Sequence, residues 1–173
     1  MIGKGVVMLH ADQLKIGNNC LIDDYSYINA KSQYGISIGN NVALNRGCYL
    51  HCFGDRGGKG IIIKDNVTVG NNSIVYGHSL VKIGKFCALG PNIVIIPENH
   101  NFKDKKTPIR KQGCSRKRIT IENDVWLGSG VKILNGIMVK KGSVIGAGAV
   151  VSKNTEEYSI NVGVPSRKIG ERV

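Results

Sequence analysis

Aliphatic residues recur every six positions along most of the chain. Ile16, Ile22 and Ile28 form one triad, followed by Ile38, Leu44 and Leu50, then Ile63, Val69 and Val75, then Ile83, Leu89 and Ile95. Ile121, Leu127 and Ile133, and then Val139, Ile145 and Val151, complete the series. All eighteen positions are Ile, Leu or Val, residues that fill only 48 of the 173 places, so composition does not produce the pattern. A period of six matches neither a helix at 3.6 nor one long strand at two. It predicts short strands joined by tight corners, with each aliphatic pointing inward. Four residues after an aliphatic the side chain is usually small or β-branched, as at Cys20, Ser26, Val42, Cys48, Val67, Ser73 and Cys87. Glycine directly follows the aliphatic at Gly17, Gly39, Gly70, Gly84, Gly90, Gly128 and Gly146. Gly or Asn is expected to supply the positive φ of the corners.

Three hexads close one triangular coil. The six triads therefore predict an all-β fold, a parallel β-helix of about six coils stacked at ~4.8 Å into a prism roughly 30 Å long. Spacings between triads are 10, 13, 8, 26 and 6 residues. Every excess over six follows the third hexad of a coil, so all loops should leave the prism along one edge. The expected organisation is a single domain over 1–173, with four coils in 14–96, a protruding loop in 97–120, two coils in 121–155 and a C-terminal tail in 156–173. A long loop in an otherwise economical repeat points to function.

Charge sharpens that loop. Net charge is +12, and the segment 101–120 holds Lys103, Lys105, Lys106, Arg110, Lys111, Arg116, Lys117 and Arg118 against Asp104 alone. Such a segment suits an anionic partner as well as it suits a solvated surface. It lacks the interleaved aromatics of a nucleic-acid platform, since Phe102 is its only ring. No run reaches the ~18 apolar residues of a membrane span, which leaves peripheral membrane contact open. Met1 to Asp12 has no secretory apolar run, so a cytoplasmic location is expected. The five cysteines, odd in number and irregularly spaced, are expected as free thiols.

Three C-terminal segments carry the most specific signature: Ile-Glu-Asn-Asp-Val-Trp-Leu-Gly-Ser-Gly at 121–130, Val-Ile-Gly-Ala-Gly-Ala-Val-Val at 144–151, and Val-Gly-Val-Pro-Ser-Arg-Lys-Ile at 162–169. With the repeat, they make the chain resemble the hexapeptide-repeat acyltransferase superfamily over nearly its whole length, and most closely the galactoside, maltose and polysaccharide O-acetyltransferases. The resemblance implies a left-handed winding, acetyl-CoA as acyl donor, a homotrimer, and active sites in the clefts between neighbouring prisms. Galactoside- and maltose-type members carry a helical region before the prism. Here the repeat starts near Leu14, which favours an acceptor that is a surface polysaccharide or its precursor.

Acyl transfer to a hydroxyl needs a base and an oxyanion donor. Imidazole is the natural base near neutral pH. Of His10, His51, His78 and His100, the last closes the third hexad of coil four where the long loop departs. The resemblance places the catalytic histidine at this corner, so His100 is the expected base. His78 stands one coil earlier at the same corner; with Tyr76 and Asn99 it forms the expected acceptor-binding set. A structural role for His78 is the plain alternative. The resemblance further marks Trp126, Gly128, Ser129, Ala147, Ser152, Lys153 and Arg167 as coenzyme-A contacts. The Ser129 N–H would be the oxyanion donor, and Arg167 would reach phosphates. His51, His78 and His100 on one side also raise a zinc site, but the spacing of the hexapeptide carbonic anhydrases is not reproduced, and no metal is expected. The expected function is an acetyl-CoA-dependent O-acetyltransferase working by direct transfer, without a cysteine nucleophile. An N-acetyltransferase of a nucleotide-linked amino sugar and a non-enzymatic interaction platform remain as alternatives.

Overall fold

A computed structural model describes residues 1–173. The hexads fold into a left-handed parallel β-helix with three walls. A short strand β1 (Val7–Leu9) precedes the first full coil, which is β2 (Leu14–Ile16), β3 (Leu21–Ile22) and β4 (Tyr27–Asn29). The second coil is β5 (Ile36–Ile38), β6 (Ala43–Leu44) and β7 (Tyr49–His51); the third is β8 (Ile61–Ile63), β9 (Thr68–Val69) and β10 (Ile74–Tyr76). The fourth is β11 (Val81–Ile83), β12 (Ala88–Leu89) and β13 (Val94–Ile95). The protruding segment forms an antiparallel hairpin, β14 (Glu98–His100) with β15 (Cys114–Arg116). Two coils follow: β16 (Ile119–Ile121), β17 (Trp126–Leu127) and β18 (Lys132–Ile133), then β19 (Met138–Val139), β20 (Val144–Ile145) and β21 (Val150–Val151).

First hexads stack into the first wall, second hexads into the second and third hexads into the third. Register is strict, with Leu44 opposite Val69 and Leu89 opposite Leu127. Each inward aliphatic therefore lies on the one below, and the core is a continuous column of Ile, Leu and Val. The exception is instructive. Ile2 bridges Ile22, and Met8 on β1 lies opposite Ile28, so residues before Leu14 add part of a coil over two walls. No strand covers β2, and Ile16 is 38 % exposed whereas Ile22 and Ile28 are buried.

The corners divide labour between two positions. The positive φ falls three residues after the aliphatic, as at Asn72 (56°), and not on the glycine that follows it directly. That glycine serves close approach: a Cβ on Gly70 would lie 2.4 Å from the Gly90 carbonyl carbon in the next coil. All long connections leave between the third and first walls. The tail ends in a hairpin, with β22 (Ser159–Val162) parallel to β20 on the second wall and β23 (Arg167–Glu171) turning back antiparallel to it.

Candidate active site

The β14–β15 hairpin is tied to the prism at its base. Glu98 and Arg116 are register partners, and the Arg116 guanidinium donates to the Glu98 carboxylate and to the Arg56 carbonyl. These charge-assisted bonds join both hairpin arms to the loop between the second and third coils. On its other side the Glu98 carboxylate faces His78 Nε2 at 3.6 Å. His78 is buried, and its ring stacks on Phe53 at 3.9 Å. Its Nδ1 has no hydrogen-bond partner. Burial pushes the His78 pKa down, nearby Arg116 and Arg56 push it further, and Glu98 opposes them. A neutral imidazole at neutral pH follows.

His100 ends β14 and is exposed. Its register partner is Cys114, whose Sγ lies 3.4 Å from His100 Nδ1. That contact orients the ring, and Nε2 makes no hydrogen bond within the chain. Asn99, His100, Phe102, Lys103, Gln112 and Ser115 line a cavity of about 370 Å³. An imidazole held at one nitrogen and open at the other is arranged to take up a proton.

Tyr76 lies on the outer face of the third wall, 5.4 Å from the His78 ring and 4.9 Å from Phe53. His51 stacks on the opposite side of Phe53 at 3.9 Å, while Tyr49 hydroxyl meets His51 Nδ1 at 3.1 Å. The three histidines thus face separate partners, Tyr49, Glu98 and Cys114, and no three His, Cys, Asp or Glu side chains converge as metal ligands. Cys48 and Cys52 are core thiols, each pushed up to about 11 by burial.

The remaining expected residues occupy other ground. Trp126 stands on the second wall, 57 % exposed, between Ala88 and Val144. Gly128 and Ser129 turn the corner from the second wall to the third, and Ala147 turns it one coil later. Gly128 approaches so closely that a Cβ would lie 2.7 Å from the Ala147 nitrogen. The backbone N–H groups of Ser129 and Ala147 donate to nothing within the chain. Ser152 follows β21, and Lys153 lines a cavity of about 170 Å³ with Asn161, Ser166, Arg167 and Lys168. Lys168 is held by Glu156 and Glu171, which leaves Lys153 and Arg167 as its unpaired cations.

One chain does not bring these sets together. His100, His78, Tyr76 and Asn99 gather at the edge between the third and first walls. Trp126, Gly128, Ser129 and Ala147 lie on the second wall and its edge with the third. The third wall, three residues or roughly 10 Å wide, separates them. Sequence reasoning missed Phe53, Glu98, Cys114 and Arg116, all of which lie in or against inserted segments where no repeat marks position.

The family model described as "Bacterial transferase hexapeptide (six repeats)" matches residues 118–153, and "Hexapeptide repeat of succinyl-transferase" matches 13–52 and 52–77. The two models together match more than half of the chain, which belongs to the hexapeptide-repeat family. Among the relatives of this chain is a galactoside O-acetyltransferase of Lactococcus lactis, 31% identical over 161 residues, covering 91% of this chain and 64% of that one. A dTDP-4-amino-4,6-dideoxy-D-glucose acyltransferase of Escherichia coli is 28% identical over 165 residues, covering 91% and 81%. The chain spans 64%, 36% and 43% of the lengths of three curated relatives it matches. Among solved structures, the N-acyltransferase AntD of Bacillus cereus, in complex with dTDP and Coenzyme A, superposes with TM-score 0.70 at 21% identity, covering 99% of this chain and 84% of that one. That superposition establishes the shared prism.

Proposed function

We propose that this transferase moves an acetyl group from acetyl-CoA to a sugar hydroxyl, with His100 as general base. The observation that carries the proposal is the His100 ring, held at Nδ1 by Cys114 and free at Nε2 beside a cavity. In this reading Nε2 takes the proton of the acceptor hydroxyl as its oxygen attacks the thioester carbon. The oxyanion is stabilised by the Ser129 N–H, which has no acceptor of its own. The carbon–sulfur bond then breaks, and the coenzyme-A thiolate leaves and recovers the proton from His100. Trp126, Gly128 and Ala147 would flank the pantetheine arm. Ser152, Lys153 and Arg167 would meet the phosphates at the C-terminal end.

Base and oxyanion donor lie on different edges of one prism, so the complete site needs two copies. A homotrimer, each edge facing its neighbour, supplies three such sites. Asn99 and Tyr76 fall to acceptor contact. His78 is buried behind Phe53 and Glu98 and serves the acceptor by holding the hairpin. We take the acceptor to be a surface polysaccharide or its precursor, supported by the relative named for galactosides, and the compartment to be the cytoplasm, which suits five free thiols. A second reading, N-acetylation of a nucleotide-linked amino sugar, is favoured by the relative named for dTDP-4-amino-4,6-dideoxy-D-glucose.

The test is thiol release from acetyl-CoA with a panel of sugar alcohols and amino-sugar nucleotides. Acceptor-dependent release that drops by at least ~100-fold in His100→Ala supports the base. Turnover of amines alone selects the second reading. Mixed oligomers of His100→Ala with Trp126→Ala should regain activity that neither variant shows alone; failure to regain it removes the shared site.

A further inference from the structure

The proposed chemistry leaves most of the hairpin's charge unused. Lys103, Lys105, Lys106, Arg110 and Lys111 are exposed, and none makes a salt bridge. On the prism Lys85 is paired with Asp65 and Lys140 with Glu122. The one acid among them, Asp104, is engaged internally: its carboxylate accepts from the Lys106 N–H at 2.8 Å and the Thr107 hydroxyl at 2.7 Å. It neutralises none of the five.

Two large apolar side chains stand among these cations, Phe102 at 70 % exposure and Ile109 at 55 %. Their exposure is built in. The Gln112 amide accepts from the Asp104 N–H at 3.1 Å and donates to the Asp104 and Thr107 carbonyls at 2.7 Å each. The Asn101 amide donates to the Gln112 carbonyl at 3.0 Å, locking tip to neck. The tip is a braced shape that holds Phe102 and Ile109 outward.

A soluble anion would use the cations and gain nothing from the apolar pair. A nucleic acid would use the cations and stack on Phe102, the only ring, leaving Ile109 unexplained. An anionic bilayer surface uses both: lysine and arginine sit among the headgroups while aromatic and aliphatic side chains enter the interface. We propose that the 101–113 tip docks the protein on an anionic lipid surface, with Phe102 and Ile109 inserted and the five cations on the headgroups. The cavity beside His100 lies at the base of this tip, so docking would set it against the membrane plane. If the acyl-transfer reading above holds, the acceptor class is then a sugar carried on a lipid anchor; the docking itself does not depend on that reading.

The experiment is sedimentation of the full chain with phosphatidylglycerol-containing vesicles and with pure phosphatidylcholine vesicles. Binding to the first and not the second is expected. Lys105→Glu/Lys106→Glu/Lys111→Glu should weaken it by at least ~100-fold, at about fivefold per charge, and Ile109→Ser several-fold. Lys15→Glu/Lys64→Glu/Lys82→Glu changes net charge equally on the prism and should cost less than ~10-fold. An equal loss from the prism variant would mean bulk charge alone and would overturn the proposal. So would indifference to Ile109→Ser, or displacement by inorganic pyrophosphate or single-stranded DNA. Thermal melts of each variant, and thiol release with a soluble acceptor, run alongside. Vesicle binding without acyl transfer would sink the reaction and leave the docking standing; transfer without vesicle binding would do the reverse.

Discussion

Ile95 and His100 are five residues apart in the chain and are held in different ways. Ile95 lies in register between Val75 and Ile133, fully buried, one member of a column that runs the length of the prism. His100 sits on a two-stranded hairpin, steadied by Cys114 opposite and by the Glu98–Arg116 pair at its base. The prism repeats one solution and shares its strain among neighbours. The hairpin solves its placement once, with a few polar contacts. Stability should therefore live in the prism and activity in the hairpin, and that separation can be attacked from both sides.

The largest effect is expected at His100. His100→Ala should lower turnover by at least ~100-fold while leaving the melting temperature unchanged. Ile95→Ala should do the opposite. It opens a cavity in the core column and should destabilise by about 2–5 kcal/mol in denaturant titration, with the folded fraction still turning over normally. A large loss of turnover in the folded Ile95→Ala protein would dissolve the comparison.

Arg116→Ala probes the joint between the regions. It removes the donor shared by Glu98 and the Arg56 carbonyl, so kcat should fall by about tenfold as His100 loses its placement. Stability should change by only about 1 kcal/mol. His78 gives a pH signature. Its folded pKa is lowered, so unfolding takes up a proton between the folded value and the unfolded value of about 6.5. The stability from burying it neutral is complete above that upper value and is lost as pH falls through the window. Melting temperature should accordingly drop more between about pH 7 and pH 5 in the wild type than in His78→Gln. The smallest effect belongs to Cys114→Val, which should lower kcat less than ~10-fold as the His100 ring loses its orienting contact, without moving the KM for acetyl-CoA.

The same contrast explains what the sequence disclosed. A period of six is legible because each coil restates it, so Ile38, Leu44 and Leu50 announce their walls with no knowledge of the others. The edge from which the loops leave was legible for the same reason. Ile2 and β1 were not, since Ile2 and Met8 keep the step of six but make only a pair, and β22 was not, since it sets the polar Asn161 opposite Ile145. In the hairpin, His100 stood out by its chemistry and its place at a corner. Cys114 did not, because only the antiparallel register of β14 on β15 sets its thiol against that ring. Phe53 was hidden likewise, a corner residue three places after Leu50 whose role follows from stacking between His51 and His78.

The contact at Gly70 has a consequence for how such a chain changes over generations. Backbone meets backbone there with no room for a single carbon, and every hexad within a coil keeps its six-residue count. Losing or gaining one residue inside a wall would turn each later side chain inside out. Within its walls the prism can therefore change length only by whole hexads. The edge between the third and first walls obeys no such rule, with triad spacings across it ranging from 6 to 26 residues. New partners can thus be acquired there by trial and error, one residue at a time, while the barrel of aliphatics behind it is inherited unchanged.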